Sequence, residues 1–181
     1  MSDDYQQRYL EHQARKADVL RGLLAERHSA RVFAERPVGD EALALLLEAA
    51  EHAPSSCARR GVNVRVVSDR DSKALLGGLL VGGVGWIHRA PVVLLLIADP
   101  VAYKAGDEIA WMPFLDAGVM AGQMGLAAVA AGLRGCFVNP NVRPAHRDMF
   151  TGAFGPGIMC GAFAVGWPRE DDRPGWVWET S

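Results

Sequence analysis

The sequence has few of the residues that mark a secreted, metal-binding or nucleic-acid-binding chain. It holds three cysteines, Cys57, Cys136 and Cys160, an odd number with no Cys-x-x-Cys pair. No disulfide framework is indicated, and a reduced, cytoplasmic setting is the expectation. His12, His28, His52, His88 and His146 show no ligand spacing with those cysteines, so no metal site is expected. Basic and acidic residues nearly balance, 19 against 21, which removes the general basic footprint of a nucleic-acid binder. The opening stretch MSDDYQQRYLEHQARK is polar and lacks the apolar centre of a secretory signal. The glycines of 77–86 do not form G-x-G-x-x-G, so a dinucleotide fingerprint is absent.

What is present suits one globular domain over residues 1–181. Half of the chain is hydrophobic and 22% is charged, enough for an ordinary core. Periodicity predicts a helix over 5–26, with an apolar stripe at Leu20, Leu23 and Leu24. Asp40 reads as the N-cap of a second helix, whose Leu43, Leu46, Leu47 and Ala50 face one way. Pro54 closes that helix. Residues 62–67 alternate as a strand with one wet face, 71–80 form a short helix and 81–86 a loop. The unbroken apolar run at 91–98 suits a strand buried on both faces. Residues 135–139 and 158–166 read as two more core strands, joined through a short helical or irregular link at 143–150. Helices alternating loosely with about four strands imply an α+β domain around one mixed sheet.

Pro113 opens a long helix ending near 133. Its stretch 115–133 has the length of a membrane span, with only Asp116 and Gln123 strongly polar. It is rich in Ala and Gly rather than Leu and Ile, so it reads as a core helix. Glycine costs about 1 kcal/mol relative to alanine inside a helix, so Gly118, Gly122 and Gly125 need a packing reason. Close approach to the chain's own sheet and close approach to a second subunit both supply one.

The segment ERHSARVF (26–33) places Arg27, Ser29 and Arg31 at every second position, just where the first helix stops. In extended chain such residues point the same way, about 6.5–7 Å apart. Two guanidinium forks and a hydroxyl suit a dianionic phosphate. Taken alone, the octapeptide fits two unrelated surface arginines as well.

A second signal follows. APSSCARRGVNVRVV (53–67) is a helix end, a proline turn with two serines and two arginines, and then a strand. Together with GWIHRAPVVLLLIAD (85–99), LDAGVMAGQMGLAAVAAGLRGCFVN (115–139) and AVGWPRE (164–170), these segments resemble the nitroreductase family. The resemblance runs from about residue 20 to residue 170. It implies a nitroreductase-like mixed β-sheet flanked by helices, in an intertwined homodimer with FMN at the subunit interface. It implies electron transfer from NADH or NADPH through flavin N5 to a nitro, quinone or similar small acceptor. It assigns the FMN phosphate to Arg27, Ser29 and Arg31, and places Pro54, Ser55 and Ser56 against the flavin ring, commonly from the other subunit. Gly135 and Cys136 become candidates for the N5 edge. No acid–base side chain is nominated, and neither nucleic acid nor membrane is an expected partner.

The chain departs from the family pattern at the turn. Ala58 stands where the family has Asn, Arg60 where it has Gln and Gly61 where it has Pro. Ala58 makes no side-chain hydrogen bond, and Arg60 donates but cannot accept. Arg169 and Arg173, candidates for the phosphate, bracket Glu170, Asp171 and Asp172. Two other functions fit the same residues: a binding or regulatory protein that keeps the fold with weak flavin binding, and an enzyme of one narrow biosynthetic oxidation.

Overall fold

The computed structural model describes residues 3–103 and 110–170. Helix α1 (Asp3–Glu26) leads through extended chain to α2 (Asp40–Glu51). Strand β1 (Val62–Val67), helix α3 (Arg70–Leu79), strand β2 (Val92–Ala98) and the short α4 (Pro100–Tyr103) follow. The chain continues with α5 (Met112–Ala130), β3 (Arg134–Val138), α6 (Arg147–Phe154) and β4 (Ile158–Gly166). The four strands lie in the order β1-β2-β4-β3. Every neighbouring pair among them is antiparallel. The sheet gains its parallel component at one isolated bridge, Ser29 to Gly135, where the segment after α1 runs beside β3.

The all-apolar sequence of β2 has a simple cause. Its side chains alternate between two cores. Val93, Leu95 and Ile97 pack with Leu76, Ile87, Phe150 and Phe154, under α3 and α6. Val92, Leu94, Leu96 and Ala98 pack with Leu46, Ala50, Ala121 and Met124, under α2 and α5. β2 is therefore covered on both faces, and every one of its residues is buried.

The ends of the elements follow local chemistry. Gly39, not Asp40, caps α2, and Asp40 becomes the first helical residue, with no side-chain cap bond. Asp40 and Glu41 still place negative charge at the positive end of the helix. Asp69 caps α3 by accepting from Ser72 N at 2.8 Å, so that helix begins at Arg70. Gly132, with φ +75°, turns the chain out of α5. The link before β4 is helical, with a 3₁₀ turn at Pro144–His146 running into α6. The sequence predicts an irregular C-terminal tail over about 168–181, of which only 168–170 lie among the described residues.

Two apolar surfaces stay uncovered. On α1, Leu20 and Leu24 are about half exposed, as is Tyr9. The predicted leucine stripe is therefore real but finds no core within its own chain. On α5, a helix long and apolar enough to cross a membrane, Ala117, Ala121, Met124 and Ala128 enter the core. Leu115 and Val119 remain exposed on another face.

Candidate functional site

Arg27 follows α1, its N–H closing the last turn on Leu23 O at 3.0 Å. The chain then extends. Ser29 bridges Gly135, and Ala30 N donates to Gly135 O at 3.2 Å. Arg27, Ser29 and Arg31 are exposed while Ala30 is buried, but the alternation is only partial. Arg27 and Ser29 share a cleft wall with His28, which lies between them, and Arg31 is not on that wall and lies beside Cys136. The alternation breaks at Val32, which stays exposed while Phe33 turns into the core. The far end of the segment is tied to Trp167. Ala34 N donates to Trp167 O and Trp167 Nε1 donates to Pro37 O, both at 3.0 Å. The Arg36 guanidinium lies 3.8 Å from the Trp167 ring centre, a cation–π contact.

Gly135 and Cys136 lie directly beside this comb. Burial pushes the Cys136 thiol up, while the Arg31 charge and hydrogen bonds with Ser29 and Arg31 oppose that rise. A Cβ on Gly135 would collide with the Phe163 ring, and one on Gly161 with the Phe137 ring. Gly135 and Gly161 thus each lie under an aromatic ring from the opposite strand, whereas Gly166, at the end of β4, is met by Pro91 and Phe33. Arg27, Ser29, Gly118, Gly122, Phe137 and Phe163 line a cleft of about 290 Å³. A Cβ at Gly118 or Gly122 would meet nothing within 4 Å. These two glycines therefore leave a channel over the helix rather than serve packing within the chain.

The Pro54–Arg60 turn is built differently. Ser56 N and Ser56 Oγ both donate to Asp116 Oδ1, at 2.9 and 2.7 Å. Tyr103 OH donates to Asp116 Oδ2 at 2.9 Å. Arg60 N donates to Ser55 Oγ at 2.9 Å, and Arg59 Nη1 approaches Met112 Sδ at 3.1 Å. Cys57, Ala58 and Arg60 adopt φ of 51°, 53° and 48°. Left-handed backbone at three non-glycine residues is costly and persists only where surrounding bonds enforce it. Ser55, Arg60, Asn63, Glu51 and Asp116 line a second cleft of about 290 Å³.

The two clefts share no lining residue, and α5 separates them. Asp116 and Met120 face the turn, while Gly118 and Gly122 face the comb. Positions two apart on a helix diverge by about 200°. The structure thus gathers Arg27, Ser29, Arg31, Gly135 and Cys136 on one side of α5. It gathers Pro54, Ser55, Ser56, Ala58 and Arg60 on the other. Arg169 is exposed past the end of β4, and Arg173 lies outside the described residues. Asp116 carries the turn, yet sequence reasoning treated it only as a polar residue in an apolar helix. That isolation was the available signal, because a lone acid on a core helix needs donors. Among the described residues no cluster of His, Cys, Asp and Glu could hold a metal.

Residues 24–84 and 78–167 match the model of the Nitroreductase family. The chain belongs to the nitroreductase family. It is 32% identical over 124 residues to the FMN reductase [NAD(P)H] of Bacillus subtilis (strain 168). That match covers 61% of this chain and 49% of the relative, so it spans about half the relative's length. Among solved structures, an FMN-dependent nitroreductase from Clostridium difficile R20291 superposes with TM-score 0.70 at 25% identity, covering 84% of this chain and 89% of the other. A Desulfovibrio desulfuricans structure described as a nitroreductase in complex with FMN superposes with TM-score 0.68 at 26% identity, covering 86% and 91%. A Bacteroides thetaiotaomicron protein at 20% identity reaches TM-score 0.74 over 90% of this chain and 94% of the other. That last likeness concerns the nitroreductase fold alone.

Proposed function

We propose that this nitroreductase-family chain is an FMN-dependent NAD(P)H oxidoreductase. It works as a cytoplasmic homodimer and passes electrons to a nitro, quinone or similar small acceptor. The observation that carries this reading is the comb beside the glycine channel. Arg27, Ser29 and Arg31 supply charge-assisted donors for a phosphate. The open lane at Gly118 and Gly122, with Phe137 and Phe163 on its wall, leaves room for a flat ring system that a Cβ would obstruct. The residues present therefore fit FMN. FMN, when bound, would supply hydride acceptance and onward electron transfer. The chain's own residues bind and orient it; Gly135 and Cys136, expected at the N5 edge, lie beside Ser29 and Arg31, so this reading moves them to the phosphate end. The B. subtilis relative and the FMN-bound D. desulfuricans structure support the cofactor and the NAD(P)H donor.

The dimer is supported by the separation of the two half-sites across α5 and by the uncovered apolar stripe of α1. A comb and a turn that face different clefts in one chain can meet when two chains pair. Three unpaired cysteines suit a reducing compartment. Nothing in the proposed chemistry requires nucleic acid or membrane. Ala58, exposed at the turn and without a polar side chain, favours weak flavin binding as the competing reading.

The test is direct. Arg27→Ala and Arg31→Ala each remove a charge-assisted bond, so FMN should bind about 10- to 150-fold more weakly. Riboflavin, which lacks the phosphate, should be almost indifferent to both. If both variants bind FMN within about threefold of wild type, the phosphate assignment is wrong. If the wild-type protein takes up no FMN, the competing reading stands.

A further inference from the structure

The cleft beside the comb leads along α5 to a further cavity of about 260 Å³, walled by Phe114, Val142, Arg147, Phe150, Thr151 and Met159 among others. Three parts of the fold wall both spaces. On α5 they are Gly118 and then Phe114, at the end of β3 Phe137 and then Pro140, and on β4 Phe163 and then Met159. Residues four apart on a helix lie on one ridge, each about 6 Å further along the axis. Gly122, Gly118 and Phe114 form such a ridge. Gly125, nearly one turn beyond Gly122, lies against the Arg27 side chain. The lane left open at Gly118 and Gly122 therefore runs from Arg27 at one end to Phe114 at the other.

The walls of this cavity combine apolar surface with one cation. Phe150 is buried and Phe114 is 39% exposed. Two phenyl groups and the Met159 thioether suit an aromatic ligand. The volume is at the small end for ligand sites, which suits a single ring. Arg147 and Thr151 are four apart on α6 and so share a face of that helix. Both are exposed. Among the described residues, no acid lines the cavity and no carboxylate pairs with Arg147. A guanidinium fork matches a carboxylate in one plane, and a threonine hydroxyl beside it adds a donor.

We propose that this cavity is the electron-acceptor subsite and that Arg147 makes it selective for single-ring aromatic acceptors bearing a carboxylate. This rests on the FMN oxidoreductase reading above. The acceptor's ring packs on Phe114 and Met159, at the end of the lane away from the comb, and its carboxylate accepts from Arg147. For a nitro acceptor, the first two-electron reduction consumes one NAD(P)H and one proton. It converts the nitro group to a nitroso group and releases one water and NAD(P)⁺.

The test uses the full chain with FMN supplied and has two readouts. The first is calorimetric titration with benzoate and with benzamide, neither of which is reduced. A charge-assisted bond from an exposed guanidinium is weaker than a buried one, so wild type should prefer benzoate by about 3- to 10-fold. Arg147→Gln should lose that preference. The second readout is kcat/KM for para-nitrobenzoate relative to para-nitrobenzamide, a ratio that should fall by the same factor in Arg147→Gln. Thr151→Trp, at an exposed helical position, should fill the cavity and depress kcat/KM for both acceptors while FMN uptake, read from the visible spectrum, is kept. Equal binding of benzoate and benzamide by wild type overturns the proposal, and so does a preference that survives Arg147→Gln. A benzoate preference that depends on Arg147, with no change in the kinetic ratio, overturns the acceptor role. So does undiminished turnover of both acceptors by Thr151→Trp. These outcomes leave the oxidoreductase reading standing. If the FMN-loaded wild type reduces neither acceptor nor a quinone, that reading fails and takes the acceptor role with it.

Discussion

Arg60 shows how one residue can be fixed in backbone and free in chemistry. Its N–H is held by Ser55 Oγ and its φ of 48° is left-handed, yet its side chain is exposed and lines the turn's cleft. A guanidinium near the pyrimidine edge of FMN would favour the two-electron reduced form, which carries extra negative charge there. At an effective dielectric of about 20, a unit charge ~5 Å away contributes about 3 kcal/mol before screening. Exposure reduces this sharply. A third of it would still raise the two-electron potential by roughly 20 mV. Arg60→Gln, which restores the family's residue type, should lower the potential of bound FMN by about that amount in a redox titration. An unchanged potential with FMN still bound would remove Arg60 from the cofactor's electrostatics. The exposure of Arg27, Ser29 and Arg31 was legible because period two needs only local extended chain, but the sharing of one cleft wall by Arg27, His28 and Ser29 was not. The Asp116 anchor was not, because Ser56 and Asp116 are 60 residues apart and nothing in either local pattern names the other.

Helix α5 links the two halves of the candidate site, and its glycines bear on both stability and binding. Gly118 and Gly122 have open space where a side chain would go, so an added methyl group costs no contact within the chain. Gly122→Ala should raise the stability of the flavin-free protein by up to about 1 kcal/mol, the helix-propensity difference. Gly122→Leu should fill the channel beside Arg27 and Ser29, and FMN binding should be lost while helix content by circular dichroism is kept. FMN uptake unaltered by Gly122→Leu would place the ring elsewhere. The existence of α5 and β4 was readable from the sequence, since an Ala/Gly-rich apolar run and a nine-residue core strand carry strong patterns. The boundaries set by side chains were harder. Asp69 accepting from Ser72 moves the start of α3, and Gly39 rather than Asp40 begins α2. Periodicity locates such a helix to within a residue or two and leaves its first residue to local geometry. The exposure of Gly118 and Gly122 could not be read at all, because small residues suit a helix packed on its own sheet as well as one that leaves a channel.

For the whole molecule, α5 divides the comb from the turn, and in the proposed dimer the arrangement of two chains decides whether a complete site forms. The protein should sediment at twice its 19.5 kDa chain mass, with the exposed stripe of α1 among the surfaces covered. A stronger test uses heterodimers. One chain carries Arg27→Ala with Arg31→Ala, which disables its comb. The other carries Ser55→Trp, which fills the cleft at its turn. If each site takes its comb from one chain and its turn from the partner, a heterodimer holds one site with both defects and one with neither. Co-expressed chains purified through two different tags should then bind one FMN per dimer with wild-type affinity, although each parental homodimer binds poorly. If comb and turn of the same chain served one site, every site in the heterodimer would carry a single defect and no tight site would appear. The FMN stoichiometry of the tight phase therefore separates a shared site from two independent ones, whatever the acceptor the enzyme reduces.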